Sequence, residues 1–226
     1  MRLRITSITC ALAVSIFATS GAGAKRKSSP PTESDLEKLI VQSPSAPGPW
    51  LELARFHDAH DQQVPAILGY ARFLTLNQDA DTSKKVAARL WALVVPDAPL
   101  TSSTVSMRSP QKDDDLWWQT DLLLVTLRSA RHSGKAAAMS DVQFLATMLE
   151  GVTLYVKGLG EDKRLGPLWR QVGIPYFVEA REKGHLESLA YDVAKSISEP
   201  ASHWIEANPA AVEQYRAWSQ KWKPGA

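Results

Sequence analysis

An all-α protein built from antiparallel helical hairpins is what this sequence predicts, on three observations. Apolar residues recur at i, i+3, i+4 and i+7 in stretch after stretch beyond residue 34. No alternating apolar–polar run is bounded by turn residues at both ends, which leaves strands without a signal. Pro47, Pro49, Pro65, Gly134, Gly184 and Pro209 fall at the edges of the periodic stretches, where helices start or stop.

The elements follow in order. Residues 1–24 read as a cleaved export signal: Arg2 and Arg4 form a basic n-region, Ile5 to Ala18 is mostly apolar, and Ala22-Gly23-Ala24 is a small-x-small cleavage site. The apolar stretch is short and interrupted by Thr6, Ser7, Thr9 and Ser15, so it does not predict a spanning helix, and no stable span is expected in the mature form. Cys10 is the only cysteine and lies inside this signal, so disulfides and thiol chemistry are not expected after cleavage near Ala24. Localisation is expected to be periplasmic or secreted.

Residues 25–33 are polar and proline-broken and read as a flexible tether. Ser34-x-x-Glu37 predicts a capping box in front of Leu36, Leu39 and Ile40. Pro47 and Pro49 precede the first long helix, and Pro65 falls in the first turn of the next. Val86, Leu90, Leu93 and Val94 share one helical face. Residues 97–112 are unpatterned and form a loop between a front lobe, 34–96, and a back lobe, 113–222. In the back lobe, Leu116, Thr120, Leu123, Leu124 and Leu127 make one stripe, and Val142, Leu145, Leu149, Val152 and Val156 make a second. Leu186, Leu189, Ala190, Val193, Ala194 and Ile197 make a third. Gly134 and Gly184 stop helices, and Asn208-Pro209 starts the last one, over about 209–222. The back lobe is expected to pack on the front one, with Trp117 and Trp118 near the contact. Adjacent helical residues point about 100° apart, so a narrow stripe does not hide two indoles.

The most specific pattern is Trp50-x-x-Leu53-Ala54-x-x-His57 followed by Ala66-x-x-x-Tyr70 and Phe73. It resembles the tetratricopeptide repeat, W-x2-L-G-x2-Y then A-x3-F, over about residues 47–94. Ala54 stands for the family's glycine, His57 for its tyrosine and Gln78 for its closing proline. The residue types have a packing logic. Ala54 and Ala66 let two helices approach, while Trp50, Leu53, Tyr70 and Phe73 fill the space around the seam. A step of 34 residues lands on Lys84, Ala87, Ala88 and Trp91, a half repeat without a second helix. The resemblance implies a protein or peptide partner.

Candidate chemistry is sparse. His57 and His60, with Asp58 and Asp61, have the i, i+3 spacing that seeds a metal site, but no third ligand is placed by the sequence and no metal is expected. Glu179, Glu182 and His185 form the densest titratable group of the back lobe, read as a solvated helix end with a Glu179–Lys183 i, i+4 pair. Ser133-Gly134-Lys135 and Gly158-x-Gly160 lack the strand and glycine context of phosphate loops. There is no G-x-S-x-G and no H-E-x-x-H, so no catalytic residue and no cofactor is assigned. Eight tryptophans raise carbohydrate stacking as a use, against the plainer reading that most fill the core. Without Arg2 and Arg4 the chain has 24 basic and 24 acidic residues, a balance that argues against nucleic acid as a partner.

The expected function is therefore an exported interaction or scaffold component of the cell envelope. The alternative is an exported enzyme acting on peptidoglycan or polysaccharide, and a third reading is a purely structural envelope domain. Carboxylates converging in a cleft favour the enzyme. An open concave helical face without buried titratable groups favours the binder.

Overall fold

The computed structural model describes residues 31–95, 116–131 and 138–225. The expected export signal, most of the expected tether, the expected 97–112 loop, and Ser133-Gly134-Lys135 with its helix stop lie outside the described residues. The described residues fold as ten α-helices without a strand, an all-α and helical-repeat-like architecture. The described residues belong to one compact unit.

Helix α1 (Glu33–Gln42) corrects one expectation. Its N-cap is Thr32 rather than Ser34: Thr32 Oγ1 accepts the Asp35 N–H at 3.3 Å, and Asp35 Oδ2 accepts the Thr32 N–H at 3.2 Å. Thr32-x-x-Asp35 satisfies the same orphan donors two residues earlier, which releases Glu37 for another place in the structure. Helix α2 (Pro47–Ala59) starts earlier than expected, with both prolines inside its first turn, where a missing N–H costs nothing. The Trp50 indole Nε1 donates to the Pro44 carbonyl at 3.0 Å and fastens the preceding turn.

Helix α3 (Gln63–Leu76) is the centre of the molecule, with every residue from Val64 to Leu74 buried. A helix apolar all round must be covered all round. α2 and α4 (Ala80–Val94) cover two sides, and α5 (Leu116–Ala130) and α8 (Leu186–Ala194) cover others. The N-terminus of α3 is capped from a distance: the Val64 N–H donates to Asp121 Oδ1 on α5 at 3.0 Å, and Arg128 Nη1 donates to Gln63 Oε1 at 2.6 Å.

Helix α6 (Asp141–Leu159) begins with a Ser140–Gln143 capping box and buries the expected stripe, widened by Phe144, Met148 and Thr153. Its successor has a feature absent from the sequence reading. A π-helical turn at Trp169–Gly173 runs directly into α7 (Ile174–Glu182), and the Ile174 N–H reaches the Trp169 carbonyl. The physical cause is Pro175, which cannot donate to the carbonyl four residues back and crowds it, so the helix widens. Gly173 supplies the room, because a Cβ there would come within 2.6 Å of the Trp169 ring.

Gly184 ends α7 at φ 71°, the left-handed conformation that glycine adopts without strain. α8 ends at Ala194, so Ile197 lies beyond it and only partly buried. Helices α9 (Glu199–Ala207) and α10 (Pro209–Lys221) close the chain. Asn208 precedes α10 as expected but does not cap it with its side chain. Its amide donates back to the Trp204 carbonyl at 2.8 Å.

Candidate functional site

The residues of the repeat-like motif sit together in the α2–α3 hairpin, and all are buried: Trp50, Leu53, Ala54, Ala66, Tyr70 and Phe73 are each at most 3% exposed. The closest approach of the two helices involves a residue outside the motif. A Cβ on Gly69 would stand 2.9 Å from that of Ala54, so this pair of small residues sets the helix separation. Beside the seam, Asp58 ties three helices together. Arg89 on α4 grips it through Nε at 2.7 Å and Nη2 at 2.6 Å, and the Tyr70 hydroxyl donates to it at 2.8 Å. Burial pushes the Asp58 carboxyl up, but the hydrogen bonds from Arg89 and Tyr70 outweigh it and hold the carboxyl below the usual aspartate range.

His57, the next residue toward the helix N-terminus, lies in a different environment. It is fully buried. Its Nδ1 is 2.6 Å from Gln62 Oε1, and with that oxygen as acceptor Nδ1 carries the proton. Nε2 then presents a lone pair. No protein group hydrogen-bonds to it, and it faces Glu33 Oε1 at 3.8 Å, too long for a hydrogen bond. Burial holds the imidazole down at about 4, so it is neutral at pH 7.

Between α1, the start of α5 and the Arg164–Trp169 segment lies a cavity of about 170 Å³, lined by Glu33, Glu37, Trp117, Arg164, Gly166 and Trp169. Trp169 stands 5.0 Å from Trp117, 5.8 Å from His57 and 6.4 Å from Trp50, centroid to centroid, in edge-to-face and tilted contacts. The Glu37 carboxylate rests against the backbone of Gly166, where a Cβ would meet its oxygens at 2.5 and 2.6 Å. Burial raises both carboxyls above the usual glutamate range, and the Glu33 charge raises Glu37 further. The Glu33 side chain is 41% exposed, so the cavity reaches solvent.

The other candidate groups are employed in the fold. His60 turns its Nδ1 to the Phe56 carbonyl at 2.7 Å, away from His57's Gln62 contact, and no group of three potential metal ligands is found among the described residues. Glu179 accepts the indole N–H groups of Trp218 and Trp222 at 2.9 and 2.8 Å. Glu182 pairs with Lys157 at 2.7 Å, and the His185 ring packs on Trp218 at 5.0 Å. The Glu179–Lys183 pair is present at 3.7 Å. Of the eight tryptophans, Trp50, Trp117 and Trp169 are buried and the other five partly so, with Trp91 lining a cavity of about 660 Å³.

The sequence reading missed Glu33 and Trp169 and placed Glu37 in a cap. The one signal available was Gly173-Ile174-Pro175 inside an apolar stretch, which marks a distorted helix and hence an unusual side-chain placement. No family model matches this chain, and no curated protein or solved structure is significantly similar to it.

Proposed function

We propose that the protein is an exported, tetratricopeptide-like interaction or scaffold component of the cell envelope, with a protein or peptide as partner. The observation that carries this reading is the α2–α3 hairpin. The motif residues at repeat spacing are all buried on these two helices, which pack on each other, and α1 and α4 flank them as the neighbouring helices of a repeat would. One departure bears on the mode of binding. In an open helical array each hairpin contacts only its neighbours, whereas here α5 and α8 cover α3. A partner would therefore dock on the outer surface of α1 and α2 rather than in a long superhelical groove.

The enzyme reading draws on two pairs of carboxylates that line cavities, Glu33 and Glu37 at one of about 170 Å³ and Glu179 and Glu182 at one of about 730 Å³. The first is smaller than the ~300–1,000 Å³ of common ligand pockets, and in the second Glu179 accepts the indole N–H groups of Trp218 and Trp222 while Glu182 pairs with Lys157. A fractionation experiment followed by affinity capture tests the proposal. The chain is expected in the exported fraction, retaining a defined protein from envelope extract that Trp50→Ala loses. Recovery in the cytoplasm, or turnover of purified peptidoglycan by the chain alone, would overturn it.

A further inference from the structure

A groove of about 730 Å³ follows the π-helical turn and α7, with Gly160 from the end of α6 on its wall. In chain order its lining runs from Arg170 through Ile174, Pro175 and Val178 to Glu179, Glu182 and Lys183. The volume falls within the ~300–1,000 Å³ of common ligand pockets. Pro175 and Val178 are only partly buried, so apolar surface is open to solvent there.

The two carboxylates of this groove already have partners. Glu179 accepts two indole N–H groups and lies 3.7 Å from Lys183. Glu182 pairs with Lys157 at 2.7 Å. Arg170 differs from them. Its Nε donates to the Leu165 carbonyl at 3.0 Å, and no carboxylate among the described residues pairs with its guanidinium. The charges of the groove therefore match except for one cation. The Nε bond orients the guanidinium and leaves its two Nη groups for another partner. Two neighbouring N–H donors in a plane match the two oxygens of a carboxylate.

The π-helical turn sets what lies next to that cation. With bonding from i to i+5, Ile174 and Pro175 both fall one turn beyond Arg170, and Val178 follows a turn later. A cation and an apolar floor are thus neighbours. The last residue of a peptide carries a carboxylate and a side chain on one Cα, so it fills both seats at once. An internal Asp or Glu fills the first alone and needs a second residue for the floor.

We propose that this groove receives the C-terminus of a partner peptide that ends in an apolar residue. The terminal carboxylate sits on the Arg170 guanidinium, and the last side chain lies on Ile174, Pro175 and Val178. The inference rests on the reading that the partner is a protein or peptide, and it adds a seat for that chain's end apart from the α1–α2 surface.

The probe is a fluorescein-labelled peptide, Gly-Ser-Ala-Leu with a free C-terminal carboxylate, titrated with the purified chain at pH 7 and followed by fluorescence anisotropy. It should bind saturably. The same peptide ending in an amide should bind at least about tenfold more weakly, the scale of a hydrogen bond to a charged group. Serine in place of the final leucine should weaken binding as well. Arg170→Gln should abolish the preference for acid over amide, and Arg170→Lys should restore only part of it, because an ammonium lacks the planar fork. If Arg170→Gln no longer unfolds cooperatively in urea, the unaltered chain decides the matter: the preference for the acid should shrink as NaCl is raised. No binding of the acid peptide, equal binding of acid and amide, or equal binding of the amidated internal-aspartate peptide Gly-Asp-Leu-Ala would each overturn the inference. So would an unchanged acid preference in folded Arg170→Gln. Capture of an envelope protein that Trp50→Ala loses, with the acid peptide left unbound, would overturn this inference and leave the partner reading standing.

Discussion

Asp58 and His57 are neighbours on α2, and their surroundings differ in kind. Around Asp58 the polar groups come in matched sets: one carboxylate, one guanidinium and one hydroxyl, with every distance between 2.6 and 2.8 Å. Around His57 the polar groups are unmatched, with a lone pair facing a carboxylate and a second carboxylate nearby. Closed networks rigidify a fold, and the first belongs to the framework. Unmatched buried acceptors cost stability unless something else satisfies them. The contrast teaches that two neighbouring residues at one helix end can lie one in a closed polar network and the other in an unclosed one.

The largest test concerns the aromatic wall behind His57. Trp50 is 1% exposed and meets Trp169 edge to face. Trp50→Ala should lower stability by about 3–5 kcal/mol, the cost of truncating a core aromatic. Urea denaturation at pH 7 measures this, and a loss below about 1 kcal/mol would remove Trp50 from the framework.

Acid titration sharpens the comparison next. His57 is held down at about 4 in the folded chain and returns to its ordinary 6.5 on unfolding. Between those pH values the unfolded state takes up a proton that the folded state refuses, so stability falls as pH drops from 6.5 toward 4. The loss attributable to His57 has an upper bound of roughly 3–4 kcal/mol, at about 1.4 kcal/mol per unit. Glu33 and Glu37 act in the opposite sense, because their raised folded values let the folded state take up protons first. Replacing His57 with leucine should flatten the acid slope relative to the unaltered chain. An unchanged slope would mean that His57 is not the buried neutral base described above.

A smaller effect is expected at the hairpin seam. Gly69→Ala places a Cβ 2.9 Å from that of Ala54 and 3.3 Å from its Cα, where backbone must yield. Overpacking of this kind costs about 1–3 kcal/mol. A stabilised variant would show that the hairpin is looser than its geometry.

Asp58→Asn should have the smallest effect, about 1–2 kcal/mol, since charged hydrogen bonds are lost but Arg89 keeps half its side chain in water. The sign with pH is fixed by a depressed carboxyl: the Asp58 contribution is present above the ordinary aspartate range and disappears as pH falls through the folded value. The stability difference between Asp58→Asn and the unaltered chain should therefore vanish in strong acid. A difference that persists there would assign the effect to packing instead.

Much of the framework was legible in the chain. Apolar spacing identified the buried faces of α4, α6 and α8, because a stripe at helical period has only one way to leave water. In α5 the stripe is turned: Leu124 and Thr120 are buried as expected, while Arg128 is buried and Leu127 only half so. The reason is polar. Arg128 reaches Gln63 on α3, and no apolar count registers such a bond. Cap chemistry was legible in kind but not in place, since Thr32 and Asp35 offered the same box as Ser34 and Glu37.

The amino-acid sequence by itself determined the helical class, the α2–α3 pairing and the positions of several chain breaks, all of which rest on local spacing and backbone stereochemistry. Only the tertiary structure decided that α3 lies at the centre, that Asp121 caps it from α5, that Glu33 faces His57, and that Glu33 and Glu37 line a cavity with Trp169. Those arrangements join residues as far as 136 positions apart along the chain, from Glu33 to Trp169. Local periodicity states which face of a helix is buried. It carries nothing about which distant helix covers that face, or which polar group is left looking for a partner when it does.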